Sequence, residues 1–229
     1  MDALNIIIAI FLIILSYVIG SIPFGVVLGK LICKKDIRQY GSKNIGSTNA
    51  IRVLGKKVGY LVFACDVFKG MFVIILVKIL NSTGAWITPE HIDIFVFGAA
   101  AIFGHCFSIF LNYSGGKAVA TSLGVVLILT PIPAVSCLIV FLIVLYATGY
   151  VSLASTGATF TVILTTWLLY IFGVNNPSNF LLYLIGKPTL VQAILYSILA
   201  WLIILKHIKN YKRLLQGTEN SFKKKKLQA

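Results

Sequence analysis

The sequence predicts an all-α, polytopic integral membrane protein with about seven transmembrane helices, N-terminus outside and C-terminus cytoplasmic. Three observations carry that prediction. Apolar residues make up 59% and charged residues 11% of the 229-residue chain, outside the balance of a soluble domain. The apolar residues fall in runs long enough to cross a hydrocarbon core. The basic residues gather in short segments between and after those runs.

Taken in order, the apolar blocks cover roughly residues 4 to 31, 58 to 80, 93 to 111, 119 to 147, 151 to 173 and 189 to 206. The first has no positive segment ahead of it and no small-residue cleavage site, so it reads as a retained span. The fourth is interrupted by Thr130-Pro131-Ile132-Pro133, where two prolines remove backbone donors; it is one kinked span or two short antiparallel helices. Charge decides between them. The loop after the first block carries Lys34, Lys35, Arg38, Lys43, Arg52, Lys56 and Lys57, and the tail carries Lys206, Lys209, Lys212, Arg213 and the run Lys223-Lys224-Lys225-Lys226. Both belong in the cytoplasm, so an even number of crossings separates them. Keeping residues 119 to 147 whole gives five crossings and dividing them gives six, so the division is required. Halves of about 12 to 15 residues reach only about 18 to 22 Å and are expected to be shielded or to line an indentation. Glu90 and Asp93 fall in an outer loop.

No long polar block leaves room for a separate soluble domain, so residues 1–229 read as one domain, with 210–229 as a basic cytoplasmic tail. The net charge of +14 does not imply nucleic acid, because the cations lie between spans rather than along a polar face. The lysine run is a topology signal or a contact for anionic lipid headgroups. Cys33, Cys65, Cys106 and Cys137 stand far apart without a C-x-x-C pair, which speaks against a metal site or a redox motif.

Three stretches carry chemistry, each with a plainer alternative. Gly41-Ser42-Lys43-Asn44-Ile45-Gly46-Ser47-Thr48-Asn49, with Arg52 and Gly55, offers small residues that expose N–H groups beside hydroxyl, amide and guanidinium donors, a set that suits a phosphate. It is equally a capped loop opening a helix. Asn112-Tyr113-Ser114-Gly115-Gly116-Lys117 enters a helix with unpaired N–H groups and a lysine, an anion site, or a turn ending in a positive-inside lysine. It is not a Walker loop. His207-Ile208-Lys209-Asn210 puts His207 and Asn210 on one face of a helix along the interface, where a lone histidine also serves structure. In the second span Asp66 and Lys69 are one turn apart, as a structural ion pair or a polar floor. Ser152, Ser155 and Thr156 open a later helix, where hydroxyls also bridge helices.

Together these strings resemble the acyl-phosphate:glycerol-3-phosphate acyltransferases of bacterial inner membranes, the PlsY family, over nearly the whole chain. The resemblance rests on Gly20-Ser21-Ile22-Pro23-Phe24-Gly25, the Gly41 to Gly55 segment, Asp66-Val67-Phe68-Lys69-Gly70, Gly104-His105 through Phe110 with Gly115-Gly116-Lys117-Ala118-Val119-Ala120-Thr121, Tyr150-Val151-Ser152-Leu153-Ala154-Ser155, and His207 and Asn210 with Lys212-Arg213-Leu214. Two positions depart from it: Ser108 where a proline is expected, and Ala118 where a third glycine is expected.

The resemblance implies transfer of a fatty acyl group from acyl phosphate to the sn-1 hydroxyl of glycerol 3-phosphate, giving lysophosphatidic acid in phospholipid biosynthesis. It implies Ser42, Arg52, Lys117, His207 and Asn210 as catalytic, and Asn44, Thr48, Asn49, Gly115, Gly116 and Ser152 as substrate-binding. It implies no metal and no cofactor, a monomer surrounded by membrane lipids, and an active site facing the cytoplasm of a bacterial inner membrane. A covalent acyl-enzyme is unnecessary, since acyl phosphate is already activated; none of His91, His105 and His207 has an aspartate five residues on, and the resemblance implies substrate phosphate itself as the base.

A small transporter of an anionic solute also wants cations and glycine-rich loops, but it calls for ionisable groups near the midplane, and here the polar groups gather at one face. A scaffold recruiting partners through its lysines is the third reading. Deleting residues 223–229 separates it from the others: an enzyme keeps most of its turnover in membranes, whereas a scaffold loses its function outright.

Overall fold

The computed structural model describes residues 3–175 and 188–222, with side chains to residue 172 in the first stretch. The lysine run at 223–226 lies outside the described residues. Every regular element among the described residues is helical: α1 (Ala3–Ser21), α2 (Phe24–Cys33), α3 (Ser47–Leu54), α4 (Lys56–Ser82), α5 (Phe95–Cys106), α6 (Val119–Leu129), α7 (Pro131–Thr148), α8 (Val151–Asn175), α9 (Leu190–Lys206) and α10 (Ile208–Leu215), with 3-10 turns at Ile37–Gln39 and Ile109–Leu111. Contacts divide the chain into two compact units, Met1–Leu129 and Thr130–Ala229, taken separately below.

Four of these helices, α1, α4, α7 and α8, are long and apolar enough to cross a membrane, and α9 with α10 makes a fifth if that pair, bent by 48°, is one span. The chain is therefore a multi-pass membrane protein. The division at the prolines is present, with Pro131 at the first turn of α7, where its missing N–H costs nothing. Its halves are unequal. α6 has 11 residues, about 16 Å, but α7 has 18, about 27 Å, because Pro133 also falls in the tolerant first turn and leaves the ladder beyond it intact.

The block from 4 to 31, expected as one span, is broken between α1 and α2 at Ile22-Pro23. Pro23 supplies no N–H, so the last carbonyls of α1 need other donors. Ser108 Oγ donates to the Ser21 carbonyl at 2.6 Å and Lys69 Nζ to the Ile22 carbonyl at 2.8 Å. The block from 93 to 111 likewise ends as a helix at Cys106 and resumes as the turn Ile109–Leu111.

In the first unit α5 packs on α1 and α6 on α4. Backbones meet there: a Cβ on Gly20 would overlap the Ala101 carbonyl, and one on Gly70 the Thr121 carbonyl. Small residues at such crossings let helices associate where lipid provides no hydrophobic drive. Gly98 faces both Ile74 of α4 and Val125 of α6, while His105, two turns further along α5, faces Asp66 and Thr121. Along α5, the residues met on α4 and α6 thus fall in number, so α5 runs antiparallel to both. Helix ends at Ser21, Cys106 and Val119 and the first half of α4 consequently collect at one end of the unit. In the second unit α8 packs on α7 and on α9, and α9 opens with a capping box in which Thr189 Oγ1 accepts the Gln192 N–H and the Gln192 amide oxygen accepts the Thr189 N–H.

Both departures from the family's strings have a local account. Ser108 has φ −67°, the value a proline imposes, and its hydroxyl adds the bond to Ser21. Ala118 has φ 58° and is 1% exposed, a left-handed conformation that costs a residue with a Cβ about 1 to 2 kcal/mol. Glycine returns about 0.5 to 1 kcal/mol of that gain as chain entropy. Ala118→Gly is therefore expected to stabilise the protein by about 0.5 to 1 kcal/mol, read as a raised melting temperature in detergent; a lowered one contradicts the strain.

Candidate active site

The segment before α3 is organised by one amide. Asn49, 1% exposed, sends Nδ2 toward three carbonyls, of Ile37 at 2.9 Å, Tyr40 at 3.2 Å and Asn44 at 2.9 Å, and its Oδ1 accepts the Ser42 N–H at 2.9 Å. Two N–H groups shared among three acceptors leave this amide committed to the loop. Asn44 also works locally, its Oδ1 accepting the Gly46 N–H at 2.9 Å just ahead of α3. The loop entrance is held by Asp36, which accepts from the Arg38 guanidinium at 2.6 Å. That hydrogen bond holds the Asp36 carboxyl down to about 2, so its hold on the entrance is complete above the ordinary range and lost only as pH falls through about 2. Ser42, Thr48 and Arg52 are half-buried, and Thr48 and Arg52, four residues apart on α3, share a face.

In the second loop Gly116 is buried and Lys117 half-buried. The expectation of unpaired N–H groups at the two glycines is not met: Gly115 N–H donates to the Cys106 carbonyl at 3.2 Å and Gly116 N–H to the His105 carbonyl at 2.9 Å. The glycines are needed for closeness instead, since a Cβ on Gly115 would overlap the His105 carbonyl and one on Gly116 the His105 ring. They set Lys117 on a loop laid flat against the end of α5.

The two loops meet on one apolar cluster. Val26, Ile37, Ile45, Ala50 and Val62 are buried together, and Val53, Leu54 and Leu111 pack against them. Leu111 opens the stretch leading to Lys117, and Ala50 and Val53 bracket Arg52. Ile51 lies against Gly59 of α4, while the Lys117 loop sits on His105, which faces Asp66 of the same helix. Seven residues of α4 separate those levels, about 10 Å along its axis.

Asp66 and Lys69 do form an ion pair, at 2.8 Å and almost fully buried. Lys69 is at the same time the donor to the Ile22 carbonyl, so the pair closes a helix break. Of the two readings of this pair, a structural ion pair or a polar floor, these bonds favour the structural one.

His207, Asn210 and Ser152 belong to the second unit. His207 closes α9 and opens α10, with Nδ1 2.8 Å from the Ile203 carbonyl. A carbonyl only accepts, so Nδ1 is the donor in this contact. Asn210 stays one turn from His207, its N–H donating to the His207 carbonyl at 2.8 Å. Its Nδ2 donates at 2.6 Å to Glu219, which accepts also from Arg213 Nε at 2.7 Å and Ser152 Oγ at 3.4 Å. Glu219 was missed by sequence reasoning. Its signal is a lone carboxylate in a basic segment, two residues after Gly217, whose φ of 67° turns the chain back.

The profile of the glycerol-3-phosphate acyltransferase family matches residues 10–217 of the chain. A glycerol-3-phosphate acyltransferase of Acholeplasma laidlawii is 42% identical over 100% of this chain and 97% of its own length. The glycerol-3-phosphate acyltransferase 2 of Bacillus anthracis is 44% identical over 90% and 95%. Two crystal structures of PlsY, an integral membrane glycerol 3-phosphate acyltransferase, share the fold: its glycerol 3-phosphate form with a TM-score of 0.77 at 36% identity, covering 94% of this chain and 96% of that one, and its lysophosphatidic acid form with 0.75 at 35%, covering 94% and 95%.

If Asn49 braces the loop, Asn49→Ala strands several buried backbone groups and lowers stability by about 2 to 4 kcal/mol. Thermal unfolding in detergent checks this; unchanged stability with a raised KM would make Asn49 a ligand contact instead.

Proposed function

This chain belongs to the glycerol-3-phosphate acyltransferase family, and from that membership we propose that it transfers a fatty acyl group from acyl phosphate to the sn-1 hydroxyl of glycerol 3-phosphate. The products are lysophosphatidic acid and inorganic phosphate. The observation that carries the reading is the shared apolar cluster beneath the Arg52 and Lys117 segments, which keeps two cationic loops at one end of a greasy bundle. Both substrates are phosphorylated, and one cation from each loop answers that need.

In the proposed reaction a C–O bond forms between the glycerol oxygen and the acyl carbon, and the anhydride C–O bond to phosphate breaks. Phosphate departs with the bonding pair, and the hydroxyl proton passes to a phosphate oxygen. Arg52 grips phosphate oxygens as a fork and Lys117 as a point charge, with Ser42 and Thr48 adding hydroxyl donors. Their contribution is position and charge neutralisation in a water-poor site. Asn44, Asn49, Gly115 and Gly116 hold the two loops in shape. His207, Asn210 and Ser152 are assigned to the same reaction from the family's strings. Acyl phosphate is already activated, so the transfer needs no cofactor and no covalent intermediate.

The protein is proposed to act as a monomer among the lipids of a bacterial inner membrane. Seven crossings, with the N-terminus outside and the loops of Arg52 and Lys117 in the cytoplasm, follow if α5 and α6 cross as short helices and α2 does not cross. The basic loop after α1 and the basic α10 support that orientation.

The test is direct. Purified protein is mixed with synthetic acyl phosphate and labelled glycerol 3-phosphate, without metal or coenzyme A, and lysophosphatidic acid is expected. Arg52→Ala and Lys117→Ala should each cut turnover at least about 100-fold while the protein still folds in the membrane. No product from the wild type, or near-normal rates in both variants, rejects the proposal.

A further inference from the structure

Several buried polar groups of the first unit take no part in the proposed transfer, and they surround one imidazole. His105, 4% exposed, has Nδ1 3.2 Å from Thr121 Oγ1 on α6 and 3.7 Å from Asp66 Oδ1 on α4. Asp66 is itself held by Lys69 at 2.8 Å, and Lys69 Nζ lies 5.6 Å above the Phe24 ring while donating to the Ile22 carbonyl. The ring is thus braced from two helices and, through Lys69, from the break between α1 and α2.

The other edge of the ring faces the Lys117 loop. The three atoms nearest a Cβ built on Gly116 all belong to the His105 imidazole, Nε2 first. The His105 carbonyl also accepts the Gly116 N–H at 2.9 Å, so one residue supports the loop through side chain and backbone together. Lys117 follows directly, and Ala118 then takes its left-handed turn into α6. A shift of Gly116 passes to Lys117 through a single peptide plane.

We propose that His105 is a positioning residue for acyl transfer: its ring, braced by Asp66 and Thr121, sets the height of the Gly115-Gly116 turn and with it the place where Lys117 meets a substrate phosphate. The inference rests on the reading of Lys117 as a phosphate ligand. It gives Gly116 a reason that an anion-binding glycine does not share, namely that the histidine ring fills the space a side chain would need.

Two experiments on the full-length protein test it. In a melting-temperature cycle of Gly116→Ala, His105→Ala and the double variant, the added methyl enters space that the removed ring leaves. The double variant should then lose clearly less than the sum of the single losses. Additive losses overturn the steric half of the proposal. Thr121→Val, nearly isosteric, removes the hydroxyl beside Nδ1 without opening a cavity. It should raise the KM of glycerol 3-phosphate or of acyl phosphate about fivefold, with kcat moved less, and Thr121→Ser should restore it. A folded Thr121→Val variant with wild-type KM for both substrates overturns the positioning half. Wild-type protein that forms no lysophosphatidic acid overturns the functional reading and this inference together, whereas an active wild type with unaltered variants overturns the inference alone.

Discussion

In hydrocarbon no water is at hand to satisfy a backbone carbonyl, so each interruption of a helix must bring its own donor. Two interruptions in this chain show how. At Ile22-Pro23 the freed carbonyls receive Ser108 Oγ and Lys69 Nζ, and near Thr130-Pro131 the Ile128 carbonyl receives Lys78 Nζ at 2.9 Å. Lysine is costly within a span, and both lysines lower that cost by serving as caps, Lys69 with a carboxylate beside it. The rest of the first unit depends on these closures. They end α1 and α6 at defined points, and the end of α1 lies with Cys106 and Val119, where the polar loops sit, while the Lys78 closure secures the opposite end of α6.

How far the fold was legible depended on the kind of signal. Long apolar blocks at 58 to 80 and 151 to 173 needed only length and hydropathy, and α4 and α8 match them within a few residues. The division at Pro131 followed from charge parity, a global argument that local propensity does not contain. The break at Pro23 was hidden because residues 4 to 31 are predominantly apolar on both sides of it, and the donors that make a break tolerable, Lys69 and Ser108, lie far along the chain. α7 outran its expected length because a proline in the first helical turn ends nothing.

For the candidate site, residue types pointed to phosphate chemistry, and the grouping of the Arg52 and Lys117 segments on one cluster agrees with that. Individual tasks were less legible. Composition makes Asn49 and the glycines at 115 and 116 look like phosphate donors, yet their polar groups bind backbone. Nothing in a string of letters distinguishes an amide turned outward from one turned inward, since the outcome depends on which carbonyls the folded loop leaves unpaired. Glu219 escaped notice for a related reason. Its partners Asn210, Arg213 and Ser152 converge only after Gly217 reverses the chain, and one of them is 67 residues away.

The cap on α1 bears on how the chain enters the bilayer. Ile22 leaves the ribosome 47 residues before Lys69 and Ser21 leaves 87 residues before Ser108. During that interval the Ile22 carbonyl has only its local bond from the Phe24 N–H at 3.1 Å and the Ser21 carbonyl waits for its donor, a state that a lipid interior does not tolerate. The bend must wait in a hydrated or headgroup environment, or beside the insertion machinery, until α4 and α5 arrive. Membrane integration of this protein is then not a sequence of independent hairpins: its earliest segment settles to final depth only when the second and third long apolar stretches of nascent chain have been delivered.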